Sequence, residues 1–551
     1  MKRTPIHTIQ GSGLRSPLAG TEVLARGVVT GTTRKGFFVQ DPDGGEAGCS
    51  HAVFVFSPRR KPPVGALVEV QGQVTDFFLE ETERPTTQIH AVDTRTLEDE
   101  GPRLKPVWLT AERIALDNDA LAVYLNSIEG MLVGIEAGAT FVAPSNPFGD
   151  YVVAPAGTNA TRTRHGGVLI DPHNPERWYP GFRIADYSRA PQVNVGAELL
   201  SPVVGPLNYR VSSYQIAALG RIRVRPASIK LERATLRPES TRATVLTLNG
   251  FNLDPRVEDP SLVQDPRRDI DDDEADGRYA MLAAAIARDA AAPDIVALQE
   301  MQDSDGAQIT DVVDANENYK KLLRAIRTVG GPTYRWVDVP PQPGADGGQP
   351  GGNIRNAFLY NPDRIAIVPG SVQRIGADDA AFEDSRKPLM VQFRMLSTNR
   401  ELAVINVHLA SKRHQRGVFA PERPGFDPRL ETRVRQALLV RDTLLNLAER
   451  DINYYVTGDF NDFEFSETLR AMLGDESINL VDRVPREERY DYNHRGKSQT
   501  LMHGIVSKPH ADERNMEYEI LHGNELIGAK PGQLGDKATD HAYVIARIDM
   551  H

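Results

Sequence analysis

An apolar run that passes through a glycine into an aspartate and an asparagine constrains this chain more than any other stretch. It reads Tyr454-Tyr455-Val456-Thr457-Gly458-Asp459-Phe460-Asn461. A short run of aromatic and β-branched residues predicts a buried strand. Asp459 and Asn461 are two apart, so in extended chain they point the same way. An acceptor and a donor at the end of a rigid element suit a metal, water and phosphate site. Alone, the same letters also fit a strand followed by an ordinary Asp-x-Asn turn.

The design recurs across the C-terminal half. Residues 244–249 end in Asn249, residues 294–300 in Glu300 and residues 402–408 in His408, while Asp540 and His541 open the apolar run 541–548. A helix is expected over 278–290 and another over 432–449, which makes the region an α/β sandwich with functional groups at strand ends. Residues 254–277 carry a run of aspartates that fits a calcium loop poorly, because Ala283 stands where the final glutamate is needed; a solvated acidic loop is expected. The Pro/Gly-rich stretch 340–352 is expected as a substrate lip or plain surface.

The first half has a different texture. Short β-rich runs broken by Gly, Pro and Asp turns over 21–100 predict a small barrel. Gly65-Ala66-Leu67-Val68 resembles Gly196-Ala197-Glu198-Leu199, and Gly36-Phe37-Phe38-Val39 resembles Gly167-Val168-Leu169-Ile170. This repeat predicts a second, more decorated β-barrel. The expected division is 1–104, 105–232, a linker over 233–241, and 241–551.

Bulk properties exclude several classes. The 551 residues contain 40% apolar and 25% charged residues, ordinary for a globular chain. No window holds the ~20 apolar residues a membrane span needs. A net charge of −11 argues against general coating of nucleic acid, though not against a local basic groove or positive charge supplied by bound cations. The single cysteine, Cys49, rules out intramolecular disulfides and a cysteine-rich zinc site. The N-terminus shows no apolar signal segment, so the chain is either cytoplasmic or stripped of its leader.

Three carboxylates, two carboxamides and two imidazoles at strand ends form a kit for cleaving phosphate esters. Carboxylates bind hard cations, a carboxylate can orient water, and imidazolium can neutralise a crowded phosphate. Leu248-Asn249-Gly250-Phe251-Asn252-Leu253, Leu298-Gln299-Glu300, Asn406-Val407-His408-Leu409, Gly458-Asp459-Phe460-Asn461 and Thr539-Asp540-His541 resemble, in order, the motifs of the endonuclease/exonuclease/phosphatase superfamily. Residues 6–13, 36–41, 129–133, 490–492 and 498–501 are similar to large bacterial extracellular nucleases. The resemblance implies two N-terminal all-β OB-like barrels followed by a four-layered, DNase I-like α/β sandwich. It also implies an extracellular or periplasmic location, a divalent cation (Mg²⁺, or Mn²⁺ or Ca²⁺), a nucleic acid substrate and a monomer.

Site roles follow from the same resemblance. Glu300 would be the principal metal ligand, supported by Asp540 and Asn249. Asp459 would orient or deprotonate water, and Asn461 would hold the phosphate or Asp459. His541 and His408 would face the phosphate. Arg386, Lys412, Arg433 and Asn252 would contact substrate phosphates. Two positions depart from the pattern. Met502 stands where relatives keep an aspartate that fixes the imidazole equivalent to His541, with Asp491 or Glu517 as candidate substitutes. No acid stands near Gly352 or Ile354 to pair with His408. A phosphatase or phosphodiesterase on smaller esters, or a weakly catalytic nucleic-acid-binding protein, are the competing readings. Phe37, Phe38 and Phe54 could stack bases, but alternation favours the barrel core for most of them.

Overall fold

Alternating apolar residues in the first hundred positions do form strands. The computed structural model describes residues 1–58, 61–80, 83–184, 186–421, 425–511, 516–531, 533 and 535–550. Strands Glu22–Thr32, Gly36–Gln40, Ala52–Phe56, Leu67–Phe77 and Thr86–Glu98 close into a barrel, with the fifth strand between the third and the fourth. Every second residue of Leu67–Phe77 faces a core that includes Val68, Val70 and Val74. Phe37 and Phe38 are buried, and Phe38 packs edge-on against half-buried Phe54, so two of the three rings serve the fold.

The second β region does not close. Nine strands, from Val107–Trp108 to Val224–Arg225, lie along one open path in a single sheet. This corrects the expectation of a second barrel. The glycine-turn-valine repeat specifies strands and turns, but whether sheet ends meet depends on strand number and stagger. Helix Asn118–Ser127 packs Leu121 and Leu125 into the same core as Phe141, Tyr151 and Phe182. The stretch 233–241 is docked rather than loose: Ala234 and Leu236 are buried in the next domain's core.

Beyond it, two sheets face each other. One has six strands, in spatial order Arg335–Asp338, Arg355–Tyr360, Ile295–Met301, Arg242–Leu253, Tyr543–Asp549 and Met516–Leu521. The other has seven, running from Ile365–Ile367 through Leu389–Met395, Glu401–His408, Tyr454–Asp459 and Met502–Ser507 to Ser477–Asn479, with Gln373–Arg374 beside Leu389–Met395. Val245, Ala297, Val404 and Tyr455 share the core between the sheets. Helices Arg278–Ala284 and Asn316–Thr328 cover the first sheet through Leu282, Tyr319 and Leu322. Helices Leu430–Glu449 and Glu467–Leu473 cover the second through Val440, Leu444 and Leu469. The alanine-rich segment expected as one helix over 278–290 widens to a π-helix over Ala285–Asp289.

The acidic stretch after the first strand of this region is solvated only in part, with Asp259, Glu274 and Asp276 exposed. Asp254, Glu258 and Asp273 are buried, and Arg278 pairs with Asp273. Burial, then the charges of Glu258, Asp273 and Asp271, pushes Asp254 up to about 9. The 340–352 stretch is likewise pinned, by Lys387 Nζ bonding to Asp346 Oδ1 at 2.6 Å and to Ala345 O at 3.1 Å.

Arg433 was expected on a phosphate track, but it lies at the N-terminal end of helix Leu430–Glu449 with no exposure at all. It pairs with Asp427, donates to Asp462 Oδ2 at 3.2 Å and ties helix to loop. Lys412 Nζ holds the other oxygen of Asp462 at 2.7 Å and lies 3.4 Å from the centre of the Phe463 ring. Both cations are thus committed to Asp462. Burial alone would raise the Asp462 carboxyl, but Lys412 and Arg433 outweigh it and hold it below the ordinary range. That stabilisation is complete above the ordinary aspartate pKa and is lost as pH falls through the lowered folded-state value. Arg433→Met should take the guanidinium from Asp427 and leave Asp462 to Lys412 and Thr468, at a cost of about 1.5–3 kcal/mol, measured by denaturant unfolding; an unchanged midpoint would refute the structural role.

Candidate active site

Four strands from the two facing sheets deliver their last residues to one place. Asn406, fully buried, pins the sheets there: its Nδ2 donates to Leu298 O at 2.8 Å and to Ala357 O at 3.0 Å, and its Oδ1 accepts from Gln299 Nε2 at 2.7 Å. Thr247 and Thr457 join hydroxyls across the same gap at 2.5 Å. Parallel pairing sets His408 opposite Asp459 and Val407 opposite Gly458. A Cβ at Gly458 would lie 2.0 Å from Val407 O, so only glycine allows these strands to bring the two side chains together. Glu300 and Asn461 have φ of 52° and 53°, a conformation that costs non-glycine residues about 1–3 kcal/mol each.

Carboxylates gather at this end. Asn249 Nδ2 donates to Glu300 Oε1 at 3.2 Å and reaches Asp459 Oδ2 at 3.5 Å, while its Oδ1 accepts from Phe251 N–H at 2.8 Å. Burial, reinforced by the charge of Asp540, pushes Glu300 up to about 7, and burial raises Asp459 as well. Asp459 Oδ1 accepts from Asn461 N–H at 2.8 Å, and Asn461 Nδ2 donates to Leu409 O at 3.1 Å. The ligand atoms of Glu300, His408 and Asp459 all lie within 4.8 Å of one another. Two carboxylates and an imidazole within reach of one another offer the kind of donor set a divalent cation takes.

The two imidazoles are held in opposite states. Asp491, fully buried, accepts from Leu501 N–H at 2.8 Å and Met502 N–H at 2.9 Å through Oδ2, and its Oδ1 meets His541 Nδ1 at 3.2 Å. Burial pulls His541 down, but the Asp491 bond and the charges of Asp540 and Asp459 prevail and carry it up to about 10. Asp491 therefore stands in for the acid missing at Met502, whose side chain belongs to the core between the sheets. Glu517 plays no such part, being paired with Arg242 and Arg547. His408 is the converse case. Burial first, then Arg386 and His541, lower it well below the usual range. Arg386 Nε donates to His408 Nδ1 at 3.3 Å, leaving the ring's proton on Nε2, which lies 3.7 Å from Glu300 Oε1 and 3.8 Å from Asp459 Oδ2.

The remaining expected residues divide. Asp540 Oδ1 lies 4.0 Å from His541 Nε2, at the edge of the group. Asn252 is half-buried with φ 58° and makes no side-chain hydrogen bond among the described residues. Lys412 and Arg433 belong to the Asp462 knot. Tyr492, which carried no assigned role in the sequence, stacks on His541 with ring centres 4.7 Å apart. Its only signal was its place beside Asp491.

The Endonuclease/Exonuclease/phosphatase family matches residues 248–508. The match covers a little under half of the chain. Members of the family are phosphoesterases that generally depend on divalent metals, and Asn249, Glu300, His408, Asp459, Asn461 and Asp491 fall within the matched residues. Residues 83–226 match a domain of unknown function (DUF8508). No curated protein sequence matches the chain. Similar solved structures include the Bacteroides thetaiotaomicron mannosyl-6-phosphatase Bt3783, at 16% identity over 55% of this chain and 98% of that one, TM-score 0.35. The human Nocturnin catalytic domain shares 15% identity over 58% of this chain and 97% of its own, TM-score 0.37. The D. rerio TDP2 complexed with single strand DNA product shares 15% over 56% and 98%, TM-score 0.35.

Asp491→Asn would keep an oxygen for the Leu501 and Met502 amides but turn an amide N–H₂ toward His541 Nδ1. Phosphodiester hydrolysis should fall on the order of 10³-fold or more. The alkaline limb of the kcat/KM profile should move to lower pH, because the carboxylate that raises His541 is gone. An unchanged limb would show that Asp491 does not hold this imidazole.

Proposed function

We propose that this chain is a divalent-cation-dependent phosphodiester hydrolase acting on nucleic acid. The observation that carries the reading is the meeting of Glu300, Asp459 and His408 with His541, whose Nδ1 is held by Asp491. Glu300 and Asp540 would hold the cation, with Asn249 steadying Glu300. When bound, the cation supplies a Lewis acid that draws charge from a phosphoryl oxygen.

The chain's own residues do the rest. Asp459, made more basic by burial and fixed by the Asn461 amide, takes a proton from the attacking water. His541, an imidazolium backed by Asp491, presents Nε2–H to the phosphate and offsets the charge that builds there. His408, neutral with its proton on Nε2, donates a hydrogen bond without adding charge. Arg386 fixes that tautomer, and Asn461 orients Asp459. Nucleic acid is favoured over a small ester because the hairpin that stacks Tyr492 on His541 also carries exposed Arg495, a cation beyond what one phosphate requires. We read the N-terminal barrel as OB-like from its strand order and the parallel third and fifth strands, and divide the chain at 1–104, 105–232 and 241–551.

Incubation with plasmid DNA, RNA and bis(4-nitrophenyl) phosphate, with Mg²⁺, Mn²⁺ or EDTA, tests the reading. Polymer cleavage should require metal and should fall by roughly 10²- to 10⁴-fold in Asp459→Ala. Turnover of the aryl ester without polymer cleavage would reassign the site to smaller substrates.

A further inference from the structure

A two-stranded hairpin, Tyr492–His494 with Lys497–Gln499, forms one wall of the site. Its register pairs Tyr492 with Gln499, Asn493 with Ser498 and His494 with Lys497. Paired residues share a face and successive residues alternate. Tyr492, His494, Lys497 and Gln499 therefore lie on one face, and Asn493 and Ser498 on the other.

The β region holds this hairpin in place. Ser498 N–H donates to Val168 O at 2.7 Å, and Ser498 O accepts from Ile170 N–H at 2.8 Å, so the hairpin gains a third strand-like neighbour. Asn493 Nδ2 donates to Val142 O at 2.8 Å, and Lys497 Nζ to Pro175 O at 2.7 Å. The segment matched by the domain of unknown function thus fixes a wall of the catalytic site.

The opposite face is a row of rings. Tyr492 lies on His541 with planes 26° apart. His494 follows, with its centre 6.5 Å from that of Tyr492 and its plane turned by only 12°. His494 is exposed and makes no side-chain hydrogen bond among the described residues. Packing does not account for it, since the ring fills no core.

We propose that Tyr492 and His494 form an aromatic ledge that stacks a nucleobase beside the scissile phosphodiester of a polynucleotide, with exposed Arg495 offsetting the adjoining phosphate. The inference rests on the nuclease reading and gives it a strand-binding subsite. Stacking of this kind tolerates any base, because every base offers a flat face. This local cation also answers a problem set by the net charge of −11, which repels a polyanion elsewhere on the surface.

Steady-state kinetics of the full chain test it with three substrates: a single-stranded DNA oligonucleotide, a strand of equal length made of abasic units, and bis(4-nitrophenyl) phosphate. His494→Ala should raise KM for the base-bearing strand about tenfold relative to KM for the aryl ester, and His494→Phe should restore it. On the abasic strand, wild type and His494→Ala should have the same KM. Equal KM on the base-bearing strand, an equal effect on the abasic strand, or the same loss in His494→Phe would overturn the ledge. Wild type that hydrolyses the aryl ester but neither strand would instead overturn the nuclease reading.

Discussion

The carboxylate of Asp491 is the contact on which the arrangement of this site turns. One of its oxygens is spent on the Leu501 and Met502 amides, which leaves the other in a single place, against His541 Nδ1. The side chain is therefore fixed by backbone before it meets the imidazole. A carboxylate held by this many hydrogen bonds keeps its direction. His541 gains its proton from that arrangement, and the pocket gains a fixed cation opposite its acids.

Arg386 makes the complementary choice at His408. A guanidinium beside Nδ1 can only donate, so the imidazole must accept there and stay neutral. Two histidines in one pocket thus come to differ in charge through one neighbour each. The strands below them supply the rigidity: Asn406 and the Thr247–Thr457 pair bridge the sheets, and their burial makes any slip between the layers costly.

The β region is joined to this chemistry through the 492–499 hairpin. Main-chain bonds to Val168 and Ile170 make the hairpin part of both halves of the molecule. Asp491 sits at its base and Tyr492 on its face, so the same element that orients the imidazole also lines the way out of the pocket. The open nine-stranded sheet suits this use better than a closed barrel would, since it leaves loops free to reach across.

Much of the catalytic half was legible in the sequence. Period-two alternation and strand-end placement pick out Asn249, Glu300, His408, Asp459 and His541, which the structure brings together, because backbone geometry alone fixes where neighbours in a strand point. Partner choice was not legible in the same way. Asp491 lies 50 residues before His541, and nothing local says that the chain will bring them together. Arg433 and Lys412 look like surface cations in a one-dimensional reading, and the aspartates of 254–273 look like a solvated run; only packing reveals that Arg433, Asp254 and Asp273 are buried and that Lys412 is paired with Asp462. The sequence by itself determined which residue types stand at the strand ends and that no disulfide could brace them. The tertiary structure alone decided which acid holds which imidazole, which cations are hidden and which rings share a face, because those outcomes depend on contacts between distant segments rather than on local backbone geometry.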